Sequence, residues 1–132
     1  MIGLDTNVLV RYIAQDDPEQ AARATRFIER LTEDDPGYVS LVTLVEVYWV
    51  LRRTYGLARR DAGRVIATLL DARELSLAEP QVVRRAMARM RDDVDFPDAL
   101  IGELGRAVGC SHTVTFDKRA ARLPDVRLLS PS

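Results

Sequence analysis

The chain has 132 residues, a length that suits one domain and buries roughly two-thirds of the surface its unfolded form exposes. A net charge of −1 rules out a global basic field, and a single cysteine rules out an internal disulfide. No apolar run approaches the length of about 18 residues that a membrane helix needs, and Asp5 interrupts any N-terminal targeting segment. A cytoplasmic, reducing setting without a membrane span is therefore expected, with residues 1–132 forming a single domain.

In chain order, Met1 to Leu4 reads as a buried strand ending at Asp5. Thr6 to Ala14 is predicted helical, with Val8, Leu9, Tyr12 and Ile13 on one side. Asp16-Asp17-Pro18 starts a second helix that runs to about Leu31, its apolar stripe made by Ala21, Ala24, Phe27, Ile28 and Leu31. After the loop at 33–37 comes a brief strand, Tyr38 to Ser40. A strongly apolar helix then runs from about Leu41 to Tyr55 and stops at Gly56.

Arg59 to Asp71 is a further helix, Glu74 to Ala78 a strand, and Glu79-Pro80 opens a helix to about Met90. Pro97 opens the next helix, which closes at Gly109. His112 to Phe116 forms a strand ending at Asp117; a short helical turn and a last strand, Val126 to Leu129, follow. Strands alternating with helices imply an α/β fold, a mostly parallel sheet covered by helices on both faces.

Four acids stand out. Asp5 and Asp117 each follow a strand, the place where open parallel sheets bind ligands. Each also sits where an aspartate caps the next turn, which is a sufficient structural reason for it. Glu46 lies among Leu44, Val45, Val47, Tyr48, Trp49 and Val50, so it is expected to be partly buried. Thr43 one turn earlier is a candidate hydrogen-bond partner, and an ion pair with an arginine is the structural alternative. Asp98 occupies the first turn after Pro97, where the helix dipole favours an acid by roughly 0.3–1 kcal/mol. Asp95, just upstream, is either the helix cap or a lesser member of the same set.

If these acids meet, they need a cation. Two unit charges about 4 Å apart repel by roughly 4 kcal/mol at an effective dielectric near 20. No lysine or arginine adjoins Asp5 or Asp98 in sequence. A hard divalent ion, Mg²⁺ or Mn²⁺, suits an all-oxygen set.

Asp5-Thr6-Asn7-Val8-Leu9 resembles the opening motif of PIN-domain proteins. Thr43-Leu44-Val45-Glu46 resembles their second acidic motif, Asp95-Phe96-Pro97-Asp98-Ala99-Leu100 the third, and Thr115-Phe116-Asp117-Lys118 the fourth. The compact length is similar to that of VapC-type toxins of toxin–antitoxin systems. This resemblance implies a three-layer α/β/α sandwich and a Mg²⁺- or Mn²⁺-dependent ribonuclease. It also implies a small antitoxin partner and a homodimer. On the matched positions, Asp5 and Asp98 are the main metal ligands, and Glu46 and Asp117 complete the acidic site. Thr6, Asn7 and Thr115 are supporting polar groups.

Such a site hydrolyses a phosphodiester with a metal-activated water and needs no nucleophilic side chain. His112, the sole histidine, is read as structural, and Cys110 as a core residue. Lys118 beside Asp117 either approaches a phosphate or is simply solvated. Of Tyr12, Phe27, Tyr48 and Trp49, at least two are expected in the core. Three alternatives remain: a receiver-like phosphoryl-transfer protein, a nonenzymatic binding module, and a DNA nuclease with the same chemistry. Lys118, directly after the last aspartate, suits the first of these poorly.

Overall fold

A computed structural model describes residues 1–130, which divide into two compact units, Met1–Ala78 and the described residues from Glu79 onward. Both combine helices with a parallel sheet, so the α/β class is as expected.

The first unit contains β1 (Ile2–Gly3), α1 (Thr6–Ala14), α2 (Pro18–Glu29), β2 (Gly37–Val39), α3 (Leu41–Arg53), α4 (Arg59–Asp71) and β3 (Leu75–Leu77). Its strands run in the order β1-β2-β3, parallel, with Ile2 opposite Gly37 and Val39 opposite Leu77. Parallel strands put their carboxyl ends on one edge. The helices that follow β1 and β2, α1 and α3, therefore start side by side. Gly37 makes the central strand possible: a Cβ there would sit 2.8 Å from a Leu4 methyl and 2.9 Å from one of Leu31.

Helix starts follow local chemistry. Asp17 accepts the Gln20 N–H at 3.1 Å with Pro18 at the first helical position, and Ser40 accepts the Thr43 N–H at 3.2 Å. The core comes from Leu9 and Val10 of α1, Leu44, Val47, Tyr48 and Leu51 of α3, and Ala62, Ile66 and Leu69 of α4. Each large apolar side chain buried there contributes roughly 1.5–3 kcal/mol.

Several expectations are corrected here. β1 is not a buried strand: Ile2 is 46% exposed, and only Leu4 after it is buried; β1 is one of the two edges of this sheet. On α1 the buried stripe runs through Thr6, Leu9 and Val10, while Tyr12 and Ile13 are half-buried. Of the four aromatics only Tyr48 is fully enclosed. Trp49 is half-buried, edge-on to Tyr48 with centroids 5.3 Å apart, and carries the Arg53 guanidinium 4.3 Å from its ring centre.

The second unit contains α5 (Pro80–Arg89), α6 (Phe96–Ala107), β4 (Thr113–Thr115), a 3₁₀ turn (Ala120–Arg122) and β5 (Val126–Leu128). α5 packs against α6 through Val82, Val83 and Ala86 on one side and Phe96, Ala99 and Leu100 on the other. β4 and β5 pair in parallel, Thr113 opposite Val126. Gly109, at φ 96°, takes the left-handed turn that ends the α6 region. Cys110 follows it into a loop and is exposed, not a core residue. Among the described residues, no helix is long and apolar enough to cross a membrane.

Candidate functional site

Asp5 stands at the carboxyl end of β1 in the N-cap position of α1, with extended backbone (φ −81°, ψ 159°). Its carboxylate makes no capping hydrogen bond, unlike that of Asp17 one helix later. The side chain is exposed and makes no hydrogen bond or ion pair with the described residues.

Thr6, the next residue, is buried and faces α3. Its hydroxyl donates to Oε2 of Glu46 at 2.6 Å. This bond joins two sequence motifs 40 residues apart. The parallel sheet explains it, since α1 and α3 leave the same edge. A hydrogen bond to a carboxylate contributes roughly 1.5–3 kcal/mol. It also leaves Oε1 and the outer face of the carboxylate for a ligand.

Glu46 itself is exposed, contrary to the burial expected from its apolar neighbours. The buried stripe of α3 passes through Thr43, Leu44, Val47, Tyr48 and Leu51; Glu46 shares the other face with exposed Val42, one turn away. Its partner is Thr6, neither an arginine nor Thr43. The Thr43 hydroxyl instead lies 3.2 Å from that of Ser40. Asn7 is exposed on α1 and lines a cleft between α1 and α2.

In the second unit, Asp98 lies in the first turn of α6, half-buried, with Asp95 in the N-cap position and making no capping hydrogen bond. Asp117 follows β4. Here the structural explanation holds: its Oδ1 accepts the Arg119 N–H at 2.8 Å, and its own N–H donates to the Thr115 hydroxyl at 3.0 Å. Thr115 thus shapes the turn that presents Asp117, which is exposed. Lys118 is exposed beside it, and His112 is half-buried with Nδ1 2.9 Å from the Ser111 hydroxyl.

Among the described residues, no three His, Cys, Asp or Glu side chains form a metal-holding group. Mg²⁺ does not require one: it keeps several waters and is commonly held by one or two carboxylates plus substrate phosphate. The uncapped Asp5 carboxylate and the Thr6-anchored Glu46 carboxylate have the hard oxygen donors such an ion takes.

Sequence reasoning missed Glu103. It is 3% exposed on α6, with Oε2 3.2 Å from Nε of Arg89 and Oε1 3.8 Å from Nε of Arg85. Oε1 has no hydrogen bond. The signal was present in the spacing. Phe96, Ala99, Leu100 and Glu103 fall on one helical stripe, and Arg85 and Arg89 are one turn apart on the preceding helix.

A search of curated proteins gives no significant match. The sequence model of the PIN domain family matches residues 2–126, which contain all four acids. That match covers nearly the whole chain, and the protein belongs to the PIN domain family, whose members are in general metal-dependent nucleases.

Proposed function

We propose that this PIN domain is a Mg²⁺- or Mn²⁺-dependent endoribonuclease that serves as the toxin of a toxin–antitoxin pair. The observation that carries the nuclease reading is the Thr6–Glu46 hydrogen bond beside the uncapped Asp5 carboxylate. Asp5 follows β1, Glu46 is tied to the residue after Asp5, and neither acid makes an ion pair with the described residues.

In this reading Asp5 and Asp98 are the principal ligands, and Glu46 and Asp117 complete the acidic site, in part through water. When bound, the ion polarises the scissile phosphate and acidifies a water molecule. Thr6 fixes the direction of the Glu46 carboxylate by donating to it. Thr115 holds the backbone of the turn that carries Asp117. Asn7 supplies an exposed amide next to this edge. RNA as substrate, a small antitoxin, homodimer formation and a cytoplasmic setting follow from the resemblance to VapC-type toxins.

The test is cleavage of RNA and DNA substrates with Mg²⁺, with Mn²⁺ and in EDTA, by wild type, Asp5→Asn and Asp98→Asn. Metal-dependent RNA cleavage lost in both variants is the expected result. Metal binding by a folded protein that cuts neither nucleic acid would favour a binding module. Preferential cutting of DNA would favour a DNA nuclease.

A further inference from the structure

The first unit contains a cleft of about 490 Å³ between α1 and α2. Its floor is apolar: Leu4 and Ala24 are buried, and Val8 is half-buried. Phe27 stands at the cleft 38% exposed, an unusual position for an aromatic ring on a stripe that otherwise packs inward. The polar lining carries two arginines and no acid.

The two arginines differ. Arg11 is anchored: Nε donates to Gln20 Oε1 at 2.7 Å, and Nη1 lies 3.5 Å from Asp16 Oδ1, a carboxylate that also accepts the Tyr55 hydroxyl at 2.8 Å. Arg23 is exposed and makes no hydrogen bond or ion pair with the described residues. An uncompensated cation beside an exposed ring, over an apolar floor, suits a ligand that is anionic and flat. Stacking rings with a basic track are how proteins hold single-stranded nucleic acid.

The location matters as much as the lining. Gly3, Leu4, Asn7 and Val8 line the cleft, and these residues flank Asp5 and Thr6 on both sides. The cleft wall thus begins in the residues on either side of Asp5 and Thr6. We propose that the α1–α2 cleft is a nucleotide subsite for single-stranded RNA, with Phe27 stacking on a base and Arg23 contacting a phosphate next to the cleaved one. The proposal rests on the nuclease reading for the identity of the strand, but its test measures binding, so the two can fail separately.

The experiment titrates the full chain with a fluorescein-labelled single-stranded RNA of about ten nucleotides in EDTA, where no cut is expected, and with a duplex of the same length. Phe27→Leu is expected to weaken single-strand binding about 5- to 10-fold, while Phe27→Trp restores it, because every base offers a face to a ring and leucine has none. Arg23→Ala is expected to weaken it and to reduce the slope of log K against log salt by about 0.7, the value for one phosphate contact on a single strand. Duplex affinity should be insensitive to all three.

Loss of Mg²⁺-dependent cleavage in wild type with these binding effects intact would remove the nuclease reading and leave the subsite. Wild type that does not bind single strands, or Phe27→Leu and Arg23→Ala variants that bind within twofold of wild type, would overturn the subsite. So would a tryptophan introduced by Phe27→Trp whose fluorescence responds to a glutamate-rich amphipathic peptide and not to RNA, since the cleft would then dock protein.

Discussion

Glu46 on α3 and Glu103 on α6 are each set among apolar neighbours, yet the fold treats them in opposite ways. Glu46 is exposed and bound only by the Thr6 hydroxyl; Glu103 is enclosed and faces two arginines. The difference lies in helical phase. Glu46 falls one position off the buried stripe of α3, whereas Glu103 continues the stripe of Phe96 and Leu100. An acid off the stripe is available to a ligand. An acid on the stripe is used internally, to pin α6 to α5.

The sharpest way to break this comparison is activity. Glu46→Gln should reduce metal-dependent cleavage by about 10- to 100-fold or more, the range for groups that tune a metal site. Glu103→Gln, measured well below its melting temperature, should leave the rate within about twofold. Equal losses in both would mean that phase does not separate their roles.

Stability should show the reverse. Glu103→Ala should cost about 2 kcal/mol in urea unfolding, the value of charge-assisted bonds lost from a buried group. The figure stays below the cost of orphaning a buried charge because Arg85 and Arg89 are partly exposed and can rehydrate. Glu103→Met should recover most of that loss by filling the space. Glu46→Gln, which still accepts from the Thr6 hydroxyl, should remain within about 0.5 kcal/mol of wild type.

The aspartates that precede α1 and α2 sharpen the same contrast on a smaller scale. Asp17 uses its carboxylate as a cap, and Asp17→Ala should cost about 1 kcal/mol. Asp5 makes no such bond, so Asp5→Ala should cost less, only a dipole interaction of about 0.3–1 kcal/mol. A larger loss at Asp5 than at Asp17 would mean that its carboxylate is structural.

The smallest expected effect is on pH dependence. Partial burial opposes ionisation of Asp93, but the Arg122 hydrogen bond and charge outweigh it and hold its pKa below the ordinary carboxylate value. A depressed folded pKa stabilises the protein above the unfolded value and loses that effect as pH falls. Arg122→Gln should therefore flatten the acid limb of the stability curve slightly below about pH 4, without changing it near neutrality. This pair is exposed, so the change is small.

Much of the local structure was legible from the residues. α1 and α4 begin and end where predicted. The strand-end placement of Asp5 and Asp117 was legible too, as was the cap that Asp117 makes. Burial was not. Apolar neighbours suggested a partly buried Glu46 and the usual burial of free cysteine a core Cys110, but burial depends on which face of an element meets a neighbour in space. The exposed β1 is of the same kind: Met1 to Leu4 is apolar in sequence, yet of these residues Met1 and Ile2 are exposed and Leu4 is buried. The Thr6–Glu46 bond joins residues 40 apart, a distance no local pattern spans.

The central claim is tested most directly by single-turnover cleavage of a defined RNA with Mn²⁺ or Mg²⁺, by wild type and by Asp98→Asn, each with and without EDTA. Cleavage by wild type alone, silenced by the chelator and restored by added metal, is the predicted result. Cleavage that persists in EDTA, or that Asp98→Asn performs at the wild-type rate, would contradict it.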